Sequence, residues 1–238
     1  MKVLISPVSR GEALAVCEGG ADIVDVKNTA EGSLGANFPW VIREIVEALS
    51  SKPVTFSATL GDLPYKPGTA ALAALGAAYS GARYIKAGLH GTRTREQATE
   101  VMSAVRRTCR EYDSRIRVVA AGYADYRRFD GLDPQTLVEV ARQSGCDVVM
   151  VDTAIKDGST LFDHLSRDEI AGFVRQGHEA GLEVALAGSV KQEHVPMLAE
   201  MRTDIVGIRG AVCPKSDRTG SIDAGRVRTF VASVRSCE

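Results

Sequence analysis

Three lysines stand at the ends of apolar, strand-like runs: Lys27 closes Ala21-Asp-Ile-Val-Asp-Val-Lys27, Lys86 closes Ala82-Arg-Tyr-Ile-Lys86, and Lys156 follows Asp147-Val-Val-Met-Val-Asp152-Thr-Ala-Ile. The chain uses 21 Arg but only 8 Lys, so an ammonium at a strand end asks for a reason. Lysine can lose its proton near neutral pH and attack a carbonyl, which arginine cannot do. Asp25 precedes Lys27 by two residues and Asp152 precedes Lys156 by four, spacings of equal parity along an extended chain. The combination points to carbonyl chemistry through a Schiff base, with Asp25 or Asp152 orienting an amine and moving protons. Several ammonium groups held together repel one another, and burial adds to the effect, so at least one lysine pKa is expected to fall toward neutrality. The competing reading makes Asp25–Lys27 and Asp152–Lys156 buried structural ion pairs, which also perturb pKa values. Three converging lysines favour the chemical reading.

Convergence requires a scaffold. Eight strand-like runs can be counted, at about 2–8, 21–28, 53–60, 82–89, 115–124, 146–154, 183–189 and 204–211, and helical stretches separate most of them. Asp133-Pro134 predicts an N-cap with proline at the first helical position, and Ser166-Arg-Asp-Glu169 has capping-box spacing. Gly20, Gly81, Gly145 and Gly181 each stand just before a strand, where a left-handed helix end belongs. The phrase glycine, small, polar, apolar, apolar recurs in Gly20-Ala-Asp-Ile-Val, Gly81-Ala-Arg-Tyr-Ile and Gly145-Cys-Asp-Val-Val, as one helix-to-strand joint repeated. Eight βα units in 238 residues predict a single (β/α)8 TIM barrel spanning 1–238, with no linker marking a second domain. The alternative, an open doubly wound sheet, would usually carry a Gly-x-Gly-x-x-Gly turn after an early strand, and none follows Val3-Leu-Ile-Ser-Pro-Val8.

In a barrel, alternate residues of each strand point inward and the last of them line the active site at the C-terminal mouth. Strands two, four and six would then send Lys27, Lys86 and Lys156 to one place. Strands seven and eight end in Leu186-Ala-Gly188-Ser189 and Val206-Gly207-Ile-Arg209-Gly210, the usual location of a phosphate cradle in this fold, where glycine lets backbone amides approach an anion. Arg209 could clamp the phosphate or, if its parity follows Ile208, point outward. Two connections are richer than turns, Asn28 to Pro39 and Gly61 to Gly68. The second places Asp62, Tyr65 and Lys66 over the mouth, where a lid or substrate contact competes with ordinary solvation. His90, His164, His178 and His194 occur singly, without metal-site spacing.

The net charge of −1, with the basic residues spread along the chain, provides no stripe for nucleic acid, so a small-molecule substrate is expected. No apolar run approaches the roughly 18 residues of a membrane span, and Met1 leads straight into a short strand; a soluble, cytoplasmic protein with no membrane partner is expected. Cys17, Cys109, Cys146, Cys213 and Cys237 are odd in number and lack Cys-x-x-Cys spacing, which argues for free thiols rather than disulfides or zinc. No metal or other cofactor is called for. A homo-oligomer stays open.

With these residues in hand, the chain resembles the (5-formylfuran-3-yl)methyl phosphate synthase family of methanofuran biosynthesis almost end to end. The resemblance rests on Gly19-Gly-Ala-Asp-Ile-Val-Asp-Val-Lys-Asn28, Glu31-Gly-Ser-Leu-Gly-Ala-Asn-Phe-Pro-Trp40, Gly61-Asp-Leu-Pro-Tyr-Lys-Pro-Gly68, Val119-Ala-Ala-Gly-Tyr-Ala-Asp125, Asp152-Thr-Ala-Ile-Lys-Asp-Gly158, Leu186-Ala-Gly-Ser189 and Thr203-Asp-Ile-Val-Gly207. It implies condensation of two molecules of a phosphorylated aldehyde, glyceraldehyde-3-phosphate, with loss of phosphate and water. It also implies that Lys27 is the Schiff-base lysine, supported by Asp25, Lys86, Asp152 and Lys156. Departures lie mainly on surface helices and in Pro214-Lys-Ser-Asp-Arg-Thr-Gly220. Competing with this are another Schiff-base aldolase or dehydratase acting on a phosphorylated carbonyl, and a non-catalytic sugar-phosphate-binding module.

Overall fold

Eight parallel strands close a barrel in chain order in the computed structural model, which describes residues 1–237. They are β1 (Lys2–Ile5), β2 (Ile23–Val26), β3 (Thr55–Pro64), β4 (Tyr84–Gly91), β5 (Arg117–Tyr123), β6 (Val148–Asp152), β7 (Glu183–Leu186) and β8 (Ile205–Ile208). The helices between and after them are α1 (Arg10–Glu18), α2 (Pro39–Ala48), α3 (Pro67–Tyr79), α4 (Arg95–Tyr112), α5 (Pro134–Gln143), α6 (Leu161–His164), α7 (Arg167–Glu179), α8 (Val195–Glu200) and α9 (Ala224–Arg235). This is the (β/α)8 architecture. Among the described residues, no helix is long and apolar enough to cross a membrane.

The start signals act as their chemistry dictates. Asp133 accepts from the backbone N–H groups of Gln135 and Thr136, both at 3.0 Å, and so caps α5. At α7, Ser166 and Glu169 satisfy each other's backbone N–H, at 2.7 and 3.2 Å, a device worth about 1 kcal/mol. Gly20, Gly81, Gly145 and Gly181 all adopt positive φ. Before β8 the same role falls to Arg202, at φ 59°. The polar residue of the repeated joint has its own function at the bottom of the barrel. Asp22, Asp147 and Asp204 accept N–H groups from the second residues of neighbouring strands, from Val3 at 2.7 Å and from Val118 and Val184 at 2.8 Å each. These groups would otherwise be orphaned at the strand ends.

One structural correction concerns the third connection. The segment Gly61 to Gly68, read as a loop, continues β3 to Pro64 and then enters α3 at Pro67. A register shift after Thr59 lets β3 and β4 go on pairing above the rim, Asp62 opposite Gly88 and Pro64 opposite Gly91.

The period-two pattern splits each strand between two environments. Outward residues such as Val24, Ala58, Ile85, Val149 and Val206 belong to the large apolar layer shared with the helices. Inward residues Leu4, Ile23, Tyr84, Val148, Met150 and Ile205 form a separate apolar plug inside the barrel. Further along, the inward positions turn polar and remain buried: Asp25, Lys27, Ser57, Thr59, Lys86 and Asp152. The plug is the floor on which the site stands.

Candidate active site

Lys86 on β4 donates to Asp25 Oδ2 on β2 across 2.9 Å. Asp25 accepts two further hydrogen bonds, from the hydroxyls of Ser6 at 3.0 Å and Ser57 at 2.6 Å. Lys156, from the loop after β6, donates to Asp152 Oδ1 at 2.7 Å and to Thr153 Oγ1 at 3.0 Å. Lys27 has no such carboxylate; its Nζ donates to the backbone carbonyl of Ser33 at 3.1 Å while 6 % of the residue is exposed. Three lysines therefore share two aspartates, and Lys27 is the one left over.

The pairing Asp25–Lys27 expected from sequence spacing is thus replaced by Asp25–Lys86, although Asp25 still acts on Lys27 through its field. Parity explains the change. Both Asp25 and Lys27 point inward from one strand, one above the other, whereas the side chain of Lys86 comes across the barrel to meet Asp25. Asp152–Lys156 pairs as the spacing suggested.

The surroundings set the ionisation of each group. Burial lowers the Lys27 pKa to about 8; repulsion from Lys156 and Lys86 adds to this, and attraction from Asp152 and Asp25 opposes it. Burial works to raise Asp152, but the Lys156 and Lys27 ammonium groups outweigh it and hold the carboxyl at about 2. Asp25 is likewise lowered against its burial, chiefly by Lys86 and then Lys27. The outcome is two fixed anions, two paired cations and one amine near its titration point.

The loop after β2 walls one side of the mouth. Asn37 holds the carbonyls of Val8 and Lys27, each at 3.1 Å, and Thr59 holds that of Gly35 at 2.7 Å. Ser33 Oγ donates to the Thr153 carbonyl at 2.7 Å, joining this loop to the loop after β6. Asp62 takes part as well, accepting the Leu34 N–H at 3.3 Å and a short hydrogen bond from the Tyr123 hydroxyl. Burial and the Asp62 charge push the Tyr123 pKa well up, so that phenol keeps its proton.

The remaining space is a cavity of about 400 Å³ lined by Lys27, Lys86, Asp152 and Lys156 together with Gly188, Ser189, Gly207, Arg209 and Gly210. Asp25 lies below it, fully buried. Gly188 is at φ 104° and Ser189 at φ 51°, and a Cβ on Gly188 would come within 3.0 Å of the Thr153 side chain, so the turn after β7 is shaped for backbone approach.

Two sequence candidates have other roles. Arg209 spends all five N–H donors on the protein: Nη1 on the Ser6 carbonyl at 2.7 Å and on Glu12 at 2.8 Å, Nη2 on Glu12 at 3.1 Å and the Gly220 carbonyl at 3.1 Å, and Nε on the Arg218 carbonyl at 2.7 Å. It is neither outward-pointing nor free to clamp an anion, because Glu12 on α1 has claimed it. Lys66 is exposed beside the start of α3 and does not line the cavity. Conversely, Ser6, Ser33, Ser57 and Arg218 belong to the site or its support, and sequence spacing marks none of them as a candidate.

Comparison with known proteins agrees with this architecture. A family model described as 4-HFC-P synthase matches residues 3–231. The chain is 56% identical to the (5-formylfuran-3-yl)methyl phosphate synthase of Methanopyrus kandleri, over 98% of each chain. It is 54% identical to the protein of that name from Methanocaldococcus jannaschii, over 96% of this chain and 97% of the other. Solved structures share the fold at low identity: 3-hexulose-6-phosphate synthase from Salmonella typhimurium has a TM-score of 0.68 at 17% identity, covering 100% of both chains. KGPDC from Streptococcus mutans has a TM-score of 0.70 at 10% identity, covering 99% of this chain and 98% of the other. The near full-length identity to the synthases, over a barrel with this lysine-rich mouth, places the chain in the 4-HFC-P synthase family.

Proposed function

We propose that this cavity condenses two molecules of glyceraldehyde-3-phosphate into (5-formylfuran-3-yl)methyl phosphate through a Schiff base on Lys27, as a step of methanofuran biosynthesis. The atoms of two such triose phosphates balance with that product when one phosphate and two waters leave. The observation that carries the reading is the lysine left without a carboxylate. An amine with a pKa of about 8 is roughly one-tenth neutral at pH 7, enough to attack an aldehyde, whereas an ordinary lysine is almost wholly protonated.

The neighbours supply the remaining parts. Neutral Lys27 adds to the aldehyde carbon, and the Lys156 ammonium, hydrogen-bonded to Asp152, protonates the carbinolamine hydroxyl as it leaves as water. The iminium that results carries its charge between Asp25 and Asp152. These two anions stabilise it in a site shielded from solvent, where such fields are stronger than in water. Iminium formation acidifies the adjacent carbon; the Lys156 amine, neutral after giving its proton to the departing water, takes that proton, and the resulting enamine attacks the second aldehyde. Elimination of phosphate and water then drives the six-carbon chain toward the aromatic ring, and the Lys27 C–N bond breaks as a substrate hydroxyl closes the ring on that carbon, which returns the free amine.

Borohydride reduction in the presence of glyceraldehyde-3-phosphate, with product analysis in parallel, tests the proposal. A covalent adduct together with furan aldehyde phosphate is expected. An adduct without that product would make the site another aldolase or dehydratase, and neither adduct nor turnover would leave a binding module.

A further inference from the structure

The strap between β8 and α9 turns one arginine back into the cavity. Arg218 lines it beside Gly210, Ser216 and Asp217, and its Nη2 is buried with no hydrogen-bond partner among the described residues. A Cβ built on Gly210 would lie 3.9 Å from the Arg218 Cβ and 3.2 Å from the Ser216 carbonyl, so the cradle glycine of β8 and the arginine form one wall. The backbone that aims Arg218 is held at both sides by Arg209, through the carbonyls of Arg218 at 2.7 Å and Gly220 at 3.1 Å. Arg209 is itself locked to Glu12.

Burial and the charge of Arg209 pull the Arg218 pKa down, against attraction from Asp152 and Asp62. The guanidinium is thus near two carboxylates and engaged by neither through Nη2. A half-buried guanidinium with its buried Nη2 left open, facing glycines that admit an anion, lacks one partner: a group with oxygens and negative charge. Asp152 accepts from Lys156 through Oδ1, and Asp62 accepts from Tyr123 and Leu34, which leaves Nη2 open to an anion from outside the chain.

We propose that Arg218 is the guanidinium that binds the substrate phosphate in this cavity, its backbone positioned by the Glu12–Arg209 pair. The ligand class is a phosphate monoester of a small aldehyde, and the choice of glyceraldehyde-3-phosphate as probe rests on the Schiff-base reading. Arg218 thereby takes the role that sequence spacing assigned to Arg209, and the Glu12–Arg209 pair fixes the strap without touching the ligand.

Two measurements on the full chain separate this assignment from the Schiff-base reading. Calorimetric titration with inorganic phosphate is expected to show binding to wild type and affinity lower by at least about tenfold in Arg218→Gln, with Arg218→Lys in between because it keeps charge but loses the planar fork. Borohydride trapping is expected to favour glyceraldehyde-3-phosphate over glyceraldehyde in wild type, with that preference falling at least about tenfold in Arg218→Gln. If wild type traps neither aldehyde, the Schiff-base reading fails and the titration alone decides for Arg218. If Arg218→Gln does not fold, the Arg218→Lys comparison decides. Phosphate affinity and trapping preference equal to wild type in the folded variants would overturn the assignment.

Discussion

Lys86 is hydrogen-bonded to Asp25 at 2.9 Å inside the barrel, and that bond withholds from Lys27 the carboxylate nearest to it in sequence. A buried ammonium and carboxylate stabilise each other only with good geometry and further hydrogen bonds. Asp25 has both, through Ser6 and Ser57. Lys156 is matched to Asp152 in the same way. What remains is an amine whose protonation adds an unmatched charge to a desolvated cluster, so the proton is the part most easily removed.

The pH dependence follows directly. Because the neutral amine is the nucleophile and its pKa is lowered to about 8, the second-order rate of adduct formation should rise about tenfold per pH unit below that value and level above it. Single-turnover trapping between pH 6 and 9 measures this. A profile flat across that range, or one still rising past pH 9, would contradict the lowered pKa.

Stability should rise with pH as well, over the range in which the trapping rate has levelled. Lys27 has a folded-state pKa below its unfolded value of 10.5, so between about 8 and 10.5 the unfolded chain binds more protons. Its contribution to folding is therefore unfavourable below pH 8 and is relieved as pH rises through that window. Lys27→Met should abolish turnover and raise the unfolding free energy at pH 7 by an amount on the order of 1–3 kcal/mol. Urea unfolding at pH 7 compares the two proteins.

Removing Lys86 should retune its neighbour. Lys86→Met deletes one of the charges that depress Lys27 and releases Asp25 to attract it, so the inflection in the trapping profile should move above pH 8. Asp25→Asn should move it below, and should also cost about 3–5 kcal/mol by leaving the Lys86 ammonium buried without its anion. The same pH series, run on both variants, reads the two directions.

Asp152→Asn and Lys156→Ala should each lower turnover at least about 10²-fold, the usual scale for a positioned proton-transfer group, while the barrel, whose apolar layers lie elsewhere, stays folded. Near-normal turnover in both, or loss of the fold in both as judged by circular dichroism, would return them to a purely structural ion pair.

The strap anchor is tested by Glu12→Gln, which leaves the buried Arg209 guanidinium without its counter-charge. A loss of about 3–5 kcal/mol in chemical denaturation is expected, along with a higher KM for phosphorylated substrate, because the backbone of Arg218 is no longer fixed. A KM unchanged in a folded, destabilised variant would separate Arg209 from the substrate side.

Much of this was legible in the chain. The left-handed glycines at 20, 81, 145 and 181 and the apolar alternation between them mark the barrel, since both are local consequences of helix ends and the strand pleat. The lysines and aspartates could be found because charge at an inward strand end is conspicuous. The partners could not. Asp25 meets Lys86 61 residues away, and Arg209 meets Glu12 across 197, and such long-range choices depend on how strands are staggered around a closed barrel. For that reason spacing offers Arg209 only a choice between clamping an anion and pointing outward, and neither is its pairing with Glu12, while Pro214 to Gly220 stands out as a departure without pointing to Arg218 within it. Sequence places Lys66 over the mouth because the extension of β3 past its bulge cannot be seen in a segment punctuated by Gly61, Pro64, Pro67 and Gly68.

The central claim is that Lys27 carries the imine, and mapping the borohydride adduct tests it most directly. Wild type should be reduced in the presence of glyceraldehyde-3-phosphate, digested, and sequenced by mass spectrometry, beside Lys27→Ala treated identically. The account predicts one modified site, at Lys27, and no adduct in the variant. An adduct on Lys86 or Lys156, or labelling of Lys27→Ala at the wild-type rate, would contradict it.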